Sequence, residues 1–154
     1  YLVYIFLFLI IMEPDNKDLK IIEILKSNAR EPIKDISKKT GIRPSTVHQR
    51  IQRLIKNKVI EKFTIRLNDK AIGENFIAFM LIKGTTSDYI TSKFLNAKNV
   101  KEVFGVTGEY DVLVKLKFKD VEAFNDFVIN FRKEMKGIQA TLTMVATANI
   151  KEEF

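Results

Sequence analysis

The sequence contains no cysteine and only one histidine, His48. Disulfide bonds and thiolate metal sites are therefore excluded, and one histidine cannot build a metal site alone. The chain also lacks a glycine-rich phosphate loop and the Ser/His/Asp or Cys/His sets of nucleophilic enzymes. These absences predict a protein that is not an enzyme, needs no cofactor and suits the reducing cytoplasm.

An apolar run long enough to span a membrane is also missing, although the chain begins with YLVYIFLFLIIM. Eleven apolar residues precede Met12, fewer than the ~20 that a spanning helix needs. Neither a basic leader nor a small-residue cleavage site flanks them, so a secretory signal is not indicated. We expect residues 1–12 to be an apolar extension upstream of the true start at Met12. The alternative is a hydrophobic tail or strand that packs on a partner or a membrane.

Positive charge is concentrated in one half of the chain. Residues 13–70 contain 15 lysines and arginines against 8 acidic residues, whereas residues 71–154 contain 11 of each kind. The whole net charge of +7 therefore belongs to the first half, as expected of a domain that attracts a polyanion. The neutral half is expected to have a different task.

The stretch IKDISKKTGIRPSTVHQRIQRLIKNKVI (33–60) has the order and spacing of a DNA-binding helix-turn-helix. At about 100° per residue, its second helix carries one apolar stripe of Val47, Ile51, Leu54 and Ile55. The opposite face carries Ser45, Gln49, Gln52, Arg53 and Lys56, and no acidic residue occurs between Pro44 and Lys58. A merely solvated face would mix charges of both signs. We therefore favour DNA recognition over the alternative of a purely structural helix pair, and interpret His48, beside the stripe, as a packing residue.

A first helix is predicted before this motif. Asp15 is its expected N-cap, Asp18 an acidic residue of its first turn, and Asn28-Ala29-Arg30 its end. Pro32 opens the second helix and Gly41 makes the turn. The predicted inner residues are Leu19, Ile22, Leu25, Ile33, Ile36 and Ile42.

The rest of the chain alternates strand and helix patterns. Strands are predicted at 58–67, 76–83, 100–106, 111–118 and 138–148. Helices are predicted from Asp88, carrying Ile90, Phe94 and Leu95, and at 121–133, built on Phe124, Phe127, Val128 and Phe131. The last four strands and two helices follow the order β-α-β-β-α-β of a ferredoxin-like sandwich, whose open sheet face we expect a second copy to cover.

The fold class is therefore α+β, with four segments. These are the apolar extension 1–12, a helix-turn-helix (winged-helix-like) DNA-binding domain 13–62, a strand linker or hinge 63–74, and a ferredoxin-like oligomerisation domain 75–154.

At this point the sequence resembles the Lrp/AsnC, or feast/famine, transcription regulators, over Asp15 to about Glu152. The matching segments are Asp15 and Asp18 with Leu19, then ISKKTGIRPSTVHQRIQRL, VIEKFTIRLN and VTGEYDVLVKLKFKD. The last is the most specific, because many families share a helix-turn-helix. Arg43 departs from the family's usual serine, so the helix N-cap is expected to shift to Ser45 or to be left to water.

The resemblance implies a homodimer or higher oligomer, up to an octamer, joined through the C-terminal sheets. Two recognition helices would then enter successive major grooves of a pseudo-palindromic double-stranded site. It also implies a small effector, such as an amino acid, bound between C-terminal domains, and no membrane partner.

We assign base-edge contacts to Ser45, Thr46, Gln49 and Arg53. Phosphate contacts are assigned to Lys34, Lys38, Lys39, Arg43 and Lys56. Arg50 is also assigned to DNA binding. Because it flanks the buried stripe, the alternative is that it pairs internally.

The candidate effector site is the turn Thr107, Gly108, Tyr110 and Asp111. Gly108 allows close backbone approach of a ligand carboxylate, Asp111 could meet an ammonium group, and Thr107 offers a hydroxyl. The same residues also make a good structural turn, which is the alternative.

Two other functions are weighed. Sirohaem-pathway decarboxylases are similar to this family and use basic and histidine side chains, but residues 71–154 contain no histidine and one arginine, Arg132. RNA binding by the sheet is disfavoured because Val103-Phe104-Gly105-Val106 lacks the aromatic pattern of RNA-binding sheets.

Overall fold

Three helices come first among the residues that the structure describes. The computed structural model describes residues 13–86 and 90–151. In it α1 spans Asn16–Ser27, α2 spans Ile33–Thr40 and α3 spans Pro44–Lys56. Gly41 ends α2 with a φ of 70°, a left-handed conformation that suits glycine, and so makes the turn into α3. The helix-turn-helix prediction is confirmed.

The start of α1 is fixed by a reciprocal cap. The Asp15 carboxylate accepts hydrogen bonds from the backbone N–H groups of Lys17 and Asp18, and the Asp18 carboxylate accepts from the backbone N–H of Asp15. This capping box satisfies three N–H groups that the first turn would otherwise leave unpaired. The predicted N-cap at Asp15 is confirmed.

The helical core lies between the three helices. It consists of Ile21, Leu25, Ile36, Ile42, Val47 and Ile51, together with buried Leu54. Two predicted core residues are wrong, since Leu19 is 51% exposed and Ile55 is 37% exposed. In α1 the buried line runs through Asp18, Ile21 and Leu25, and Leu19 lies about 130° from the middle of that line. In α3 Ile55 lies about 70° from the middle of the buried stripe, at its edge.

A four-stranded antiparallel sheet forms the second part of the fold. β1 is Phe76–Gly84, β2 Val100–Gly105, β3 Val112–Phe118 and β4 Ile138–Val145, in the sheet order β2-β3-β1-β4. Between strands lie α4, Ser92–Leu95, and α5, Val121–Glu134. This is the predicted ferredoxin-like arrangement. Successive side chains of a strand point to opposite faces of the sheet, so one face can pack against the helices.

One face of the sheet carries its core. Alternate residues of β1 and β3 are buried there with aromatic rings of the two helices: Ala78, Met80, Ile82, Val112, Val114, Leu116, Phe118, Phe94, Phe124 and Phe131. Phe127 and Val128 of α5 pack against this cluster as partly buried side chains. The predicted helix start at Asp88 lies outside the described residues. The helix that the structure describes in this region is α4, with Thr91 as its N-cap. Leu95, expected on its inner face, is exposed.

The predicted linker strand at 58–67 is wrong. Lys58 has a positive φ of 56°, and residues 61–68 belong to no strand within the described parts of the chain. Phe63, Ile65 and Leu67 are all exposed. Apolar alternation alone does not make a strand, which also needs a hydrogen-bonded neighbour. The chain divides into two compact units between Arg66 and Leu67, which lie within the predicted linker 63–74.

Candidate nucleic-acid interface and effector turn

α3 presents a polar face to solvent. Ser45, Gln49, Gln52, Arg53 and Lys56 are all exposed, and Thr46 is partly buried. Val47, Ile51 and Leu54 hold the opposite face in the core, which fixes the rotation of the helix about its axis. His48 is exposed, so its interpretation as a packing residue is wrong. It lies about 100° from Val47, beyond the edge of the buried stripe.

The N-terminus of α3 is left open at the same face. Arg43 is the N-cap and makes no side-chain capping hydrogen bond, and Pro44 occupies the first turn. The cap therefore does not shift to Ser45. Uncapped N–H groups at a helix N-terminus, next to an exposed guanidinium, attract an anion such as phosphate.

Three lysines of α2 supply further positive charge. Lys34, Lys38 and Lys39 are exposed. Lys38 Nζ lies 3.1 Å from an Asp35 carboxylate oxygen and Lys39 Nζ lies 2.5 Å from Glu31. The hydrogen bond from Lys39 lowers the pKa of Glu31 below its ordinary value of 4.5. The Lys38–Asp35 pair is exposed on both sides and therefore weak, so the Lys38 ammonium group can exchange its partner for a phosphate. In the Lys39–Glu31 pair the lysine is exposed, whereas the Glu31 side chain is only 12% exposed.

The two arginines of α3 reach back to the start of α1. Arg50 Nη1 donates to Asp15 Oδ2 at 2.7 Å and to Asp18 Oδ1 at 2.8 Å, and Arg53 Nη2 donates to Asp18 Oδ2 at 2.7 Å. The Arg50 side chain is 19% exposed and that of Arg53 is 46% exposed. The structure therefore favours the interpretation of Arg50 as a residue that pairs internally with Asp15 and Asp18. Arg53 is both paired and accessible.

This pairing changes the acidity of the exposed partner. The hydrogen bond from Arg50, followed by the backbone N–H of Asp18, lowers the pKa of Asp15 from 3.8 to about 2. The same carboxylates raise the pKa of Arg50, with the hydrogen bond to Asp15 as the largest cause. Asp15 and Arg50 therefore stay ionised throughout the physiological range.

The predicted effector turn follows β2. Thr107 and Gly108 are exposed and Tyr110 is partly buried. Gly108 has a φ of 134°, and a Cβ placed on it would meet no heavy atom within 4 Å, so there is open space beside its backbone. The turn is thus accessible to a small molecule.

Asp111 is hydrogen-bonded to the end of β1 through both its side chain and its backbone. Its Oδ2 accepts a hydrogen bond from the backbone N–H of Gly84 at 2.8 Å, and its own N–H donates to the carbonyl of Ile82 at 3.0 Å. The side chain therefore fixes the turn to the end of β1. This structural task was not visible in the sequence, where Asp111 and Gly84 are far apart.

A shallow cavity of about 250 Å³ lies elsewhere, on the sheet face opposite the core. It is lined by Ile77, Phe79, Lys115 and residues of the segment after β4, including Ile150. None of the four predicted effector residues lines it, so the structure does not bring the turn and this cavity together. Within the described ranges, no group of three or more histidine or acidic residues could hold a metal ion.

Comparison with known proteins places both parts of the chain in one family. A profile of the AsnC-type helix-turn-helix domain matches residues 15–55, and a profile of the Lrp/AsnC ligand binding domain matches residues 77–154. The chain belongs to the Lrp/AsnC family. This Lrp/AsnC protein is 40% identical over 140 residues to the HTH-type transcriptional regulator FL11 of Pyrococcus furiosus, covering 90% of this chain and 92% of that protein.

Solved structures agree with the fold. Escherichia coli AsnC superimposes with a TM-score of 0.82 at 26% identity, covering 91% of this chain and 96% of that one. A transcriptional regulator of Neisseria meningitidis, in complex with L-methionine, gives 0.84 at 22% identity, covering 90% and 93%. This Lrp/AsnC protein is therefore a transcriptional regulator with a DNA-binding helix-turn-helix and a ligand-binding domain. The relatives and the fold are those of transcriptional regulators and not of enzymes, so the decarboxylase alternative is set aside.

Among residues 13–86 and 90–151, no helix has the length and apolar character that crossing a bilayer requires.

Proposed function

We propose that this Lrp/AsnC regulator reads double-stranded DNA with the outward face of α3. The observation that carries the proposal is the exposed, acid-free row that includes Ser45, Gln49 and Arg53, held outward by the buried stripe on the other side of the helix. Such a helix fits the major groove, where amide and guanidinium groups can make paired hydrogen bonds to base edges.

The individual roles follow from position. Base edges are assigned to Ser45, Thr46, Gln49 and Arg53, and phosphates to Lys34, Lys38, Lys39, Arg43 and Lys56. Arg50 is assigned to the internal pair with α1 rather than to DNA. Arg43 suits a phosphate contact because it stands at the uncapped N-terminus of α3.

A second copy of the chain is the proposed cover of the open sheet face. That face exposes Phe104, Leu142 and Met144 and partly exposes Leu81, and exposed apolar side chains grouped on one face are typical of a protein–protein interface. Pairing of sheets would give a homodimer or a larger assembly of dimers. Two copies of α3 could then bind the two halves of a pseudo-palindromic site in cytoplasmic DNA.

The proposed effector is a small molecule such as an amino acid, bound at the turn Thr107–Asp111. The open space beside Gly108 and the nearby carboxylate of Asp111 support this assignment. The Neisseria regulator bound to L-methionine is consistent with it.

DNA binding across a salt series tests the proposal. A duplex recovered by the purified chain from a random-sequence pool (the selected duplex) should bind far better than a scrambled duplex. Its affinity should fall roughly 1,000-fold or more between 50 and 200 mM salt, as expected when six or more phosphates are neutralised. Equal binding to both duplexes would indicate a chromatin-like role instead of the regulation of specific genes. No binding would refute the proposal.

Replacing Asp111 separates its two assigned tasks. Asp111→Ala should abolish the change in DNA affinity that a mixture of amino acids produces, while DNA binding without amino acids stays within about twofold of the unaltered chain. Asp111→Asn is the matched variant, because it keeps an oxygen that can accept from Gly84 but loses the charge. A lost response in both variants indicates an ammonium ligand. A response retained by Asn but not by Ala makes Asp111 purely structural.

A further inference from the structure

Asp18 is a buried acid in the helical domain and its side chain is fully hydrogen-bonded. It is 0% exposed, and its two carboxylate oxygens accept from the Asp15 backbone N–H, from Arg50 and from Arg53. A buried carboxylate is costly unless each oxygen is paired, and here two guanidinium groups from α3 provide the charge. One side chain of α1 therefore holds two arginines that stand one turn apart on the proposed recognition helix.

Helix packing alone does not require this arrangement. α1 and α3 already share apolar contacts through the cluster that contains Ile21, Leu25, Val47 and Ile51. A well-packed apolar side chain in place of a buried ion pair is often as stable or more stable. What the carboxylate adds is direction, because hydrogen bonds fix the orientation of a planar guanidinium whereas apolar contacts do not.

The two arginines differ in how much of them remains accessible. Arg50 is mostly buried, and its Nε has no hydrogen-bond partner among the described residues. Arg53 is held by Asp18 through Nη2 alone, and nearly half of its side chain is exposed on the face that carries Gln49. Gln49 and Arg53 are one helical turn apart, so an oriented Arg53 faces the same stretch of groove as Gln49.

We propose that Asp18 is a positioning residue for DNA recognition, which holds the Arg53 guanidinium in its DNA-binding orientation before DNA arrives. This inference rests on the proposed function, because it assumes that Arg53 contacts DNA. A long, flexible side chain that is already oriented loses less conformational entropy on binding. The gain should appear mainly with the selected duplex, since a scrambled duplex offers no base edge that demands one orientation.

A double-mutant cycle in the full chain tests the link. Asp18→Asn should weaken binding to the selected duplex about tenfold when Arg53 is present, and by no more than about twofold in the Arg53→Ala background. Asp15→Asn is the matched control. It removes the same charge from the same helix end, keeps a good N-cap and does not touch Arg53, so its affinity should stay within about twofold.

Each outcome has a distinct meaning. An equal loss in both backgrounds, or no loss in either, overturns the positioning role, because Asp18 would then act without Arg53. If Arg53→Ala itself leaves affinity unchanged, the proposed DNA contact fails and the inference falls with it.

If Asp18→Asn does not fold, an NMR measurement on the unaltered chain without DNA still tests the positioning role. Slow rotation of the Arg53 guanidinium, seen by NMR as separate Nη signals, is expected. A freely rotating group would refute the proposal.

Discussion

Replacing Gln49 and Arg53 together with alanine will weaken binding to the selected duplex by about 100-fold or more, while the proposed oligomer survives. Both side chains are exposed on α3, and each paired hydrogen bond to a base edge contributes about 1–3 kcal/mol of discrimination. Two such contacts amount to about 3 kcal/mol or more, which is the stated change in affinity. Binding should be measured with selected and scrambled duplexes at one salt concentration, and the oligomer by size-exclusion chromatography.

The control for lost charge is Lys20→Ala. Lys20 is exposed on α1, outside α3, so its removal should weaken both duplexes slightly and equally. The Gln49 and Arg53 changes should instead remove most of the preference for the selected duplex. If that preference persists in an intact oligomer, α3 is not the helix that reads the bases.

Local patterns were sufficient to find α3 and the sheet. The stripe of Val47, Ile51 and Leu54 is a repeat within one helix, and the burial of β3 follows its alternation of residues from Val112 to Phe118. Each pattern is visible within a short window because burial on one side is imposed by the period of the element itself.

The pairing of α1 with α3 could not be found in this way. Asp18 and Arg53 are 35 positions apart, and each has a sufficient local explanation, as a first-turn acid and as a solvent-facing cation. The prediction of a strand in the linker was wrong for the opposite reason. Phe63, Ile65 and Leu67 alternate like a strand, yet the described residues supply no neighbour for that segment in the sheet. Alternation predicts where a strand could form, whereas pairing decides whether it does.

In the candidate effector turn, one residue has both a ligand-binding and a structural interpretation. Gly108 and Asp111 have the chemistry expected of a ligand site, but the hydrogen bond from Gly84 to Asp111 gives the acid a structural partner as well. That contact joins the end of β1 to the start of β3, so it depends on strand order. Ligand and structural roles can be separated only by variants that change one and keep the other.

Gly84→Ala should lower the free energy of unfolding by about 3 kcal/mol. Gly84 ends β1 with a φ of 152°, and a Cβ placed on it would lie 2.1 Å from the carbonyl oxygen of Gly137. This oxygen belongs to the backbone, and it also accepts a hydrogen bond from the Thr85 N–H. It therefore cannot move away as the end of a flexible side chain could. The end of β1 or the start of β4 must therefore move.

Gly105→Ala is the matched control, because Gly105 also ends a strand and a Cβ placed there would meet no heavy atom within 4 Å. Its unfolding free energy, measured by urea denaturation followed by circular dichroism, should change by less than about 1 kcal/mol. If the two variants are equally stable, β1 and β4 do not approach as closely as the structure shows. Because Gly84 donates to Asp111, the displaced strand end should also move the turn. Gly84→Ala should therefore lose the response to amino acids even under conditions where the protein remains folded and bound to DNA.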